Sequence, residues 1–153
     1  MSKDKRLTIL AVASKGGHWL QLLRLRHVWH DQNVIYMSND KSLSHYIPNE
    51  KMLTVPDASM DKKVMLIYMA LVIAVKIVWY RPDVIISTGA APGFFALVIG
   101  KVLRKKTIWV DSIANAEAMS LSGQKVKPFA DLWMTQWKDV SSPDGPIYRG
   151  EVF

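Results

Sequence analysis

Three short polar or glycine-rich segments carry the residue types that could perform chemistry, and each follows an apolar run. They are Ser14 to His18, Ser87 to Gly93 and Asp111 to Asn115. Because the carboxyl ends of parallel strands meet at one edge of a sheet, where open α/β folds bind ligands, we expect these segments to converge. The predicted ligand-binding residues are Ser14, Gly16, Gly17, Ser87, Thr88, Gly89, Gly93, Asp111 and Ser112.

His18 is the candidate catalytic residue. A histidine pKa lies close to neutral pH, which suits a general base, and His18 stands where a predicted strand gives way to a helix. The same side chain could instead hydrogen-bond a sugar or phosphate, or only cap the helix. Gly16 and Gly17 permit positive φ and let a ligand approach the backbone closely.

Several other chemistries are excluded or disfavoured by the sequence. It contains no cysteine, so it has neither disulfides nor thiolate metal sites. Neither the G-x-G-x-x-G dinucleotide pattern nor a P-loop is present. His27 and His30 could share a helix face, but no carboxylate or cysteine occupies the obvious positions beside them, which favours solvated histidines. We therefore expect no metal and no cofactor.

Composition and charge restrict the partners. The chain of 153 residues is expected to form one domain, residues 1–153, and its net charge is +7. This charge suits nucleic acid or an anionic membrane surface equally well, but no nucleic-acid recognition element is visible. Six Trp and five Tyr favour the membrane, because these residues are enriched at its interfaces. The N-terminus has no cleavage site, which predicts a cytoplasmic protein.

Strands that alternate with helices predict an α/β fold with a mainly parallel sheet and helices on both faces. The predicted strands are 7–13, 33–38, 51–55, 84–87, 107–110 and 147–148. Helices are predicted after His18, with Leu20, Leu23 and Leu25 inward and Gln21 outward, and over 60–80 and 94–103. The C-terminal third is less regular, with a helix at 114–120, a turn at 121–123, and a short helix and strand within 129–136.

The helix over 60–80 is the most apolar segment. Residues 64–75 are uninterrupted by charge, but a membrane-spanning helix needs about 20 apolar residues. We prefer a helix that lies in the membrane interface on the cytoplasmic face, with a buried core helix and a spanning helix as alternatives. The predicted membrane-contacting residues are Lys62, Lys63, Leu71, Lys76, Trp79 and Arg81.

An ordered series of motifs extends over nearly the whole chain. The motifs are Ser14 to His18, Pro82 to Gly89, Trp109 to Ser112, Ser120 to Gly123, Ala130-Asp131, Gln136-Trp137 and Tyr148 to Gly150. The series resembles the acceptor-side subunit of the two-part N-acetylglucosaminyltransferase of dolichol-linked oligosaccharide synthesis. It is still more similar to that subunit's bacterial relatives in exopolysaccharide and capsule assembly, the PssD-type proteins.

This resemblance implies a Rossmann-like domain equivalent to the N-terminal half of a GT-B glycosyltransferase. It implies a separate subunit that binds the UDP-sugar donor, while this chain binds the membrane and a lipid-linked saccharide acceptor. His18 would then lie near the acceptor hydroxyl or the donor phosphate, and the loop from Ser87 to Gly93 would contact the acceptor. The eukaryotic subunit begins with an anchoring helix, so membrane attachment here would fall to residues 64–80.

Overall fold

The computed structural model describes residues 5–59 and 61–152. Seven strands form one parallel sheet in the order β3-β2-β1-β4-β5-β6-β7, which confirms the predicted α/β class. The strands are β1 (Thr8–Ala13), β2 (Asn33–Ser38), β3 (Lys51–Thr54), β4 (Val84–Gly89), β5 (Lys106–Val110), β6 (Leu132–Thr135) and β7 (Ile147–Tyr148). The helices are α1 (Gly17–Arg24), α2 (Lys63–Tyr80), α3 (Ala90–Val102) and α4 (Leu121–Val126). Four 3₁₀ turns lie at Arg26–Trp29, Lys41–Tyr46, Lys127–Phe129 and Lys138–Val140.

Strand β1 is buried on both faces, as its unbroken apolar run predicts. Leu10 and Val12 belong to the core beneath α2 and α3. Ile9 and Ala11 point to the opposite side, where they join the core covered by α1. The sheet is therefore the middle layer between two groups of helices, and β1 lies next to its central strand, β4.

The order of strands reverses direction at β1 and β4, since β2 and β3 lie on one side of this pair and β5 to β7 on the other. The two strands pair in parallel from Ile9 opposite Val84. Crevices form outside the carboxyl ends of two such strands because their following connections leave in opposite directions. The segments after β1 and β4 therefore flank the expected ligand-binding position.

Helix α2 ends where the sequence predicts. Arg81 has φ 49°, and its N–H bonds to the carbonyl oxygen of Ile77, so the helix closes with a left-handed residue directly before Pro82. Met60, the first residue of the predicted helix, lies outside the described residues.

Three predictions for the secondary structure are wrong. Helix α3 begins at Ala90, four residues before the predicted start, so the segment from Thr88 to Gly93 is not a loop. No helix forms at 114–120. The predicted turn at 121–123 is instead the first turn of α4, because the Ser120 hydroxyl accepts a hydrogen bond from the Gly123 N–H and caps the helix.

Helix α1 also has a different inward face from the one predicted. Trp19, Gln21 and Leu22 are buried, whereas Leu20 is 49% exposed. The predicted Leu23 and Leu25 are partly buried and do pack against the core. Gln21 lies inside because its side chain hydrogen-bonds Ser112 and Gln136.

Candidate functional site

The carboxyl ends of β1 and β4 are joined by two reciprocal hydrogen bonds between His18 and Thr88. The Thr88 hydroxyl donates to the His18 carbonyl oxygen at 2.6 Å, and His18 Nδ1 lies 3.1 Å from the Thr88 carbonyl oxygen. A carbonyl oxygen can only accept, so Nδ1 carries the proton in the neutral ring. The second ring nitrogen, Nε2, is then left with its lone pair, as a general base requires.

The His18 ring packs directly against Gly89. A Cβ at this position would lie 2.4 Å from His18 Nδ1, and the glycine φ of +143° is rarely adopted by other residues. The ring and the end of β4 can approach this closely only because residue 89 has no side chain. His18 is half-buried, so part of the residue remains open to solvent.

No residue separates β4 from α3. The chain turns directly at Ala90, whose φ of +66° is left-handed and therefore strained for a residue with a Cβ. The first N–H groups of α3 follow at once in the chain, directly after the glycine that contacts the His18 ring, and the N-terminus of a helix attracts anions. Gly16, with φ +88°, makes the corresponding turn into α1, and both Gly16 and Gly17 are exposed. Ser14, at the end of β1, is half-buried.

Ser87 and Gly93 lie beneath this turn. A Cβ on Gly93 would be 1.8 Å from the Ser87 hydroxyl oxygen, so the glycine allows α3 to pack against β4. Ser87 is fully buried, and its hydroxyl accepts a hydrogen bond from the Gly89 N–H. Direct ligand contact by these two residues stays a prediction, and their burial favours a role in shaping the turn.

The Asp111 carboxylate is 1% exposed and fully occupied by internal hydrogen bonds. It accepts from the Trp109 indole N–H at 3.0 Å and from the Asn115 amide at 3.2 Å. It also accepts from the Ser120 hydroxyl at 2.6 Å and from the Ser120 backbone N–H at 2.8 Å. The carboxylate therefore holds the segment between β5 and α4 in place.

Two glutamines complete a buried polar network that the sequence prediction missed. Gln136 donates to the Gln21 amide oxygen at 2.6 Å and to the Asp111 carbonyl oxygen at 2.9 Å. Gln21 in turn donates to the Ser112 hydroxyl at 3.2 Å. The network links α1 to the ends of β5 and β6. Gln21 lies two positions from Trp19, and residues at this spacing do not share a helix face, so the periodicity of α1 gives no signal for its burial.

A second missed group lies at the ends of β2 and β3. The Asn39 side chain accepts from the Lys15 backbone N–H at 3.0 Å and donates to Asp57 at 2.9 Å. The Lys15 ammonium lies 3.4 Å from the same Asp57 carboxylate. These groups border the turn that contains Gly16, and the charge of Lys15 is balanced by that of Asp57.

The described part of the chain holds no cluster of three or more His, Cys, Asp or Glu side chains arranged for a metal. His27 and His30 lie in and next to an exposed 3₁₀ turn, where His30 contacts Asp31 at 3.1 Å. This arrangement agrees with solvated histidines.

Helix α2 touches the rest of the protein along one narrow stripe. Met69, Ile73 and Ile77 are fully buried, whereas seven large apolar residues of the helix are more than half exposed. The exposed residues are Val64, Ile67, Tyr68, Leu71, Val75, Val78 and Trp79. The alternative of a fully buried core helix is therefore wrong.

The basic residues on and beside α2 differ in their exposure. Lys62, Lys63 and Arg81 are exposed at the two ends, and Lys76 is half-buried. By length and composition, α2 is the one helix among the described residues that could cross a membrane, with a mean hydropathy of 1.9.

The sheet order and the glycine turns define the fold: a Rossmann-like domain that resembles the N-terminal half of a GT-B glycosyltransferase. MurG of Acinetobacter baumannii superposes with a TM-score of 0.76 over 93% of this chain and 45% of its own, at 7% identity. A UDP-N-acetylglucosamine 2-epimerase superposes with a TM-score of 0.72 over 96% of this chain and 49% of its own, at 11% identity. The chain thus spans about half the length of these proteins.

Sequence comparison identifies the family. Residues 9–150 match the family described as oligosaccharide biosynthesis protein Alg14 like, and the chain belongs to this family. The UDP-N-acetylglucosamine transferase subunit alg14 of Schizosaccharomyces pombe is 26% identical, over 88% of this chain and 77% of its own length. The corresponding subunit of Candida albicans is 29% identical, over 69% of this chain and 51% of its own.

Proposed function

We propose that this chain is the acceptor-binding, membrane-attached subunit of a two-component glycosyltransferase. The complex transfers a sugar from a UDP-sugar to a polyprenyl-diphosphate-linked saccharide in exopolysaccharide or capsule assembly, as in the PssD-type proteins. The donor is bound by a separate glycosyltransferase subunit. The observation that carries the proposal is the half-exposed His18, held against the buried Thr88 and Gly89 at the switch point of a domain that matches one half of a GT-B enzyme.

The roles of the residues follow from this geometry. His18 Nε2 accepts the proton of the acceptor hydroxyl as that oxygen attacks the donor sugar. The first N–H groups of α3, at Ala90 and Ala91, face the acceptor's diphosphate. The partner stabilises the departing nucleotide diphosphate, and docking of the two subunits places the reacting atoms together.

Membrane attachment falls to the exposed face of α2. Exposed apolar area of this extent on one helix is typical of a surface that contacts lipid or another apolar partner. A spanning orientation would expose the sheet core, because Met69, Ile73 and Ile77 would have to leave it. The helix therefore lies in the interface of the cytoplasmic leaflet, with Lys62, Lys63 and Arg81 near anionic headgroups.

Liposome binding tests this orientation. Wild-type protein is expected to sediment with phosphatidylglycerol-containing liposomes, and Leu71→Glu with Val75→Glu is expected to release it. Both side chains are exposed, at 62% and 67%, so the fold should persist. Val28→Glu, at a 78% exposed residue outside α2, is the matched control and should bind like the wild type. Equal sedimentation of all three proteins would contradict the assignment.

A second candidate is a non-catalytic membrane adaptor that recruits and stimulates a catalytic partner. The exposed apolar face of α2 favours it as well, because an adaptor needs the same attachment. The two candidates differ in the role of the segment from Gly16 to His18. Sugar transfer requires this segment if the chain is part of the enzyme, and does not require it if the chain is an adaptor.

A reconstituted transfer assay decides between the two candidates. Radiolabelled UDP-sugars would be supplied to membranes that contain this chain, its candidate partner, or both. Label in the lipid fraction only when both chains are present supports the two-component enzyme. Label with the partner alone, merely increased by this chain, identifies an adaptor. No label in any mixture, with a partner verified to bind this chain, would overturn both proposals.

A further inference from the structure

A small apolar cavity opens beside the candidate site, between α2, α3 and α4. Its volume is about 100 Å³, and it is lined by Leu66 of α2, Ala91 and Phe94 of α3, and Leu121 and Lys125 of α4. Leu121 is 71% exposed although it is a large apolar residue, and it lies at the edge of the cavity. The cavity therefore presents an apolar interior with an exposed apolar side chain and one ammonium group at its border.

The cavity and the candidate site share the first turn of α3. Ala91 lines the cavity and is the second residue of this helix, whose first residue follows directly after Gly89. Gly89 in turn supports the His18 ring. A ligand whose anionic group faces the α3 N-terminus could therefore extend an apolar group into the cavity without crossing the protein surface.

The volume of the cavity limits the size of the apolar group that it can hold. A cavity of about 150 Å³ lined by aliphatic and aromatic side chains holds benzene, so about 100 Å³ suits a group of about five carbons. Phe94 and Phe95 form an edge-to-face pair with ring centroids 5.4 Å apart, which gives the cavity a firm aromatic wall. A compact branched unit fits such a space better than a long straight chain does.

We propose that this cavity binds the isoprene unit nearest to the diphosphate of the polyprenyl-linked acceptor, and that Lys125 contacts the diphosphate. The proposal rests on the function proposed above and adds a recognition site for the lipid part of the acceptor. The remaining isoprene units then continue along the exposed face of α2, whose Val64 and Ile67 are 79% and 62% exposed, toward the membrane.

Direct ligand binding tests the cavity without the partner. Farnesyl diphosphate, inorganic diphosphate and lysophosphatidic acid would be titrated against the whole chain by calorimetry, below the concentrations at which the lipids form micelles. We expect farnesyl diphosphate to bind at least tenfold more tightly than either of the other two. Equal affinity for inorganic diphosphate would overturn the apolar site, and equal affinity for lysophosphatidic acid would make it a general lipid site rather than an isoprene site.

Two variants locate the binding. Leu66→Trp fills the cavity from α2 and is expected to weaken farnesyl diphosphate at least tenfold while leaving inorganic diphosphate unchanged. Ala74→Leu adds bulk elsewhere on α2 and should bind like the wild type. Leu121→Asp changes an exposed side chain at the border and should also weaken farnesyl diphosphate, which keeps the test decisive if Leu66→Trp fails to fold. Unchanged binding in the folded cavity variants would overturn the proposal.

Lys125→Gln tests the role of the Lys125 ammonium group. This variant should weaken the binding of farnesyl diphosphate and of inorganic diphosphate alike. Unchanged affinity for both would remove Lys125 from the site. These outcomes are separate from the transfer assay. Absence of transfer with selective farnesyl diphosphate binding would contradict the proposed enzyme, and transfer with no preference for the isoprenoid would contradict the cavity.

Discussion

The two polar junctions at the carboxyl edge of the sheet look alike in sequence but differ in what they leave available. At the junction of β1 and β4, the His18 ring uses one nitrogen within the protein and rests against the backbone of Gly89. At the junction of β5 and β6, Asp111 is buried and all of its close donors belong to the protein itself. The first junction has hydrogen-bonding capacity left for a ligand, and the second has already used it.

This difference distinguishes a residue that can bind a ligand from one that stabilises the fold. A buried carboxylate is stable only when hydrogen bonds replace its hydration, so four internal donors indicate a structural task. A half-exposed imidazole with one free nitrogen can accept a proton from a bound molecule. Polar residues at strand ends are therefore best ranked by their remaining hydrogen-bonding capacity.

The largest effect is expected at the open junction. His18→Ala should reduce sugar transfer by about 10²- to 10⁴-fold, the usual contribution of a general base. The loss of one partly solvated hydrogen bond to Thr88 should lower the free energy of unfolding by only about 1 kcal/mol. Transfer rates and urea unfolding measure the two effects. His27→Ala, at an exposed histidine in the following turn, is the control. Near-normal transfer by the His18 variant would remove His18 from the catalytic role.

The opposite pattern is expected at the closed junction. Asp111→Ala leaves buried donors from Trp109 and Ser120 without an acceptor, and each such group costs about 1–3 kcal/mol. We expect a loss of about 3 kcal/mol or more in the free energy of unfolding. Asp111→Asn keeps one acceptor oxygen and should lose less.

The Asp111 variants also show whether this carboxylate affects transfer only through the stability of the fold. Among the Asp111 variants, transfer should fall in proportion to the folded fraction measured by urea unfolding. A fully stable Asp111→Asn protein with strongly reduced transfer would instead indicate that the carboxylate contacts the ligand.

The smallest effect is expected at the strained turn of the open junction. Ala90→Gly removes a Cβ from a residue with φ +66° and should raise the free energy of unfolding by about 0.5–1 kcal/mol. The shift in the urea midpoint at constant m-value measures it. A destabilised variant would contradict the left-handed conformation at residue 90. Ala96→Gly, inside α3, is the matched control and should destabilise the protein.

Much of the fold follows from the sequence. The predicted and observed limits of β2 are identical, and the end of α2 before Pro82 was predicted correctly because proline restricts the preceding residue. The series of buried apolar strands also predicted the parallel sheet. Local patterns suffice for these elements because each is determined by its own residues.

The errors have a common physical cause. The start of α3 was placed too late because Ala90 and Gly93 lie in a helix that packs so closely on Ser87 that no side chain fits at residue 93. The inward position of Gln21 depends on Ser112 and Gln136, which are distant in sequence. Tertiary packing decides both features, and hydrophobic periodicity within one segment does not contain that information.

The predicted convergence of the three segments is observed, and their role in ligand binding stays a prediction. The three segments do lie at the same edge of the sheet, and His18, Thr88 and Gly89 are in direct contact. The sequence could not separate His18, which is half-buried, from the predicted residues that are buried, namely Ser87, Thr88, Gly89, Gly93, Asp111 and Ser112. Burial depends on the arrangement of the neighbouring elements, and the residue type alone does not reveal it.

The most direct test of the central claim is whether the isolated chain binds the lipid-linked acceptor or the nucleotide-sugar donor. Farnesyl-diphosphate-linked glucose, farnesyl-diphosphate-linked N-acetylglucosamine and UDP-N-acetylglucosamine would be titrated against the isolated chain by calorimetry. The account predicts that at least one lipid-linked saccharide binds tenfold or more tightly than the nucleotide sugar. Tighter binding of UDP-N-acetylglucosamine would identify a donor-binding domain and contradict the central claim.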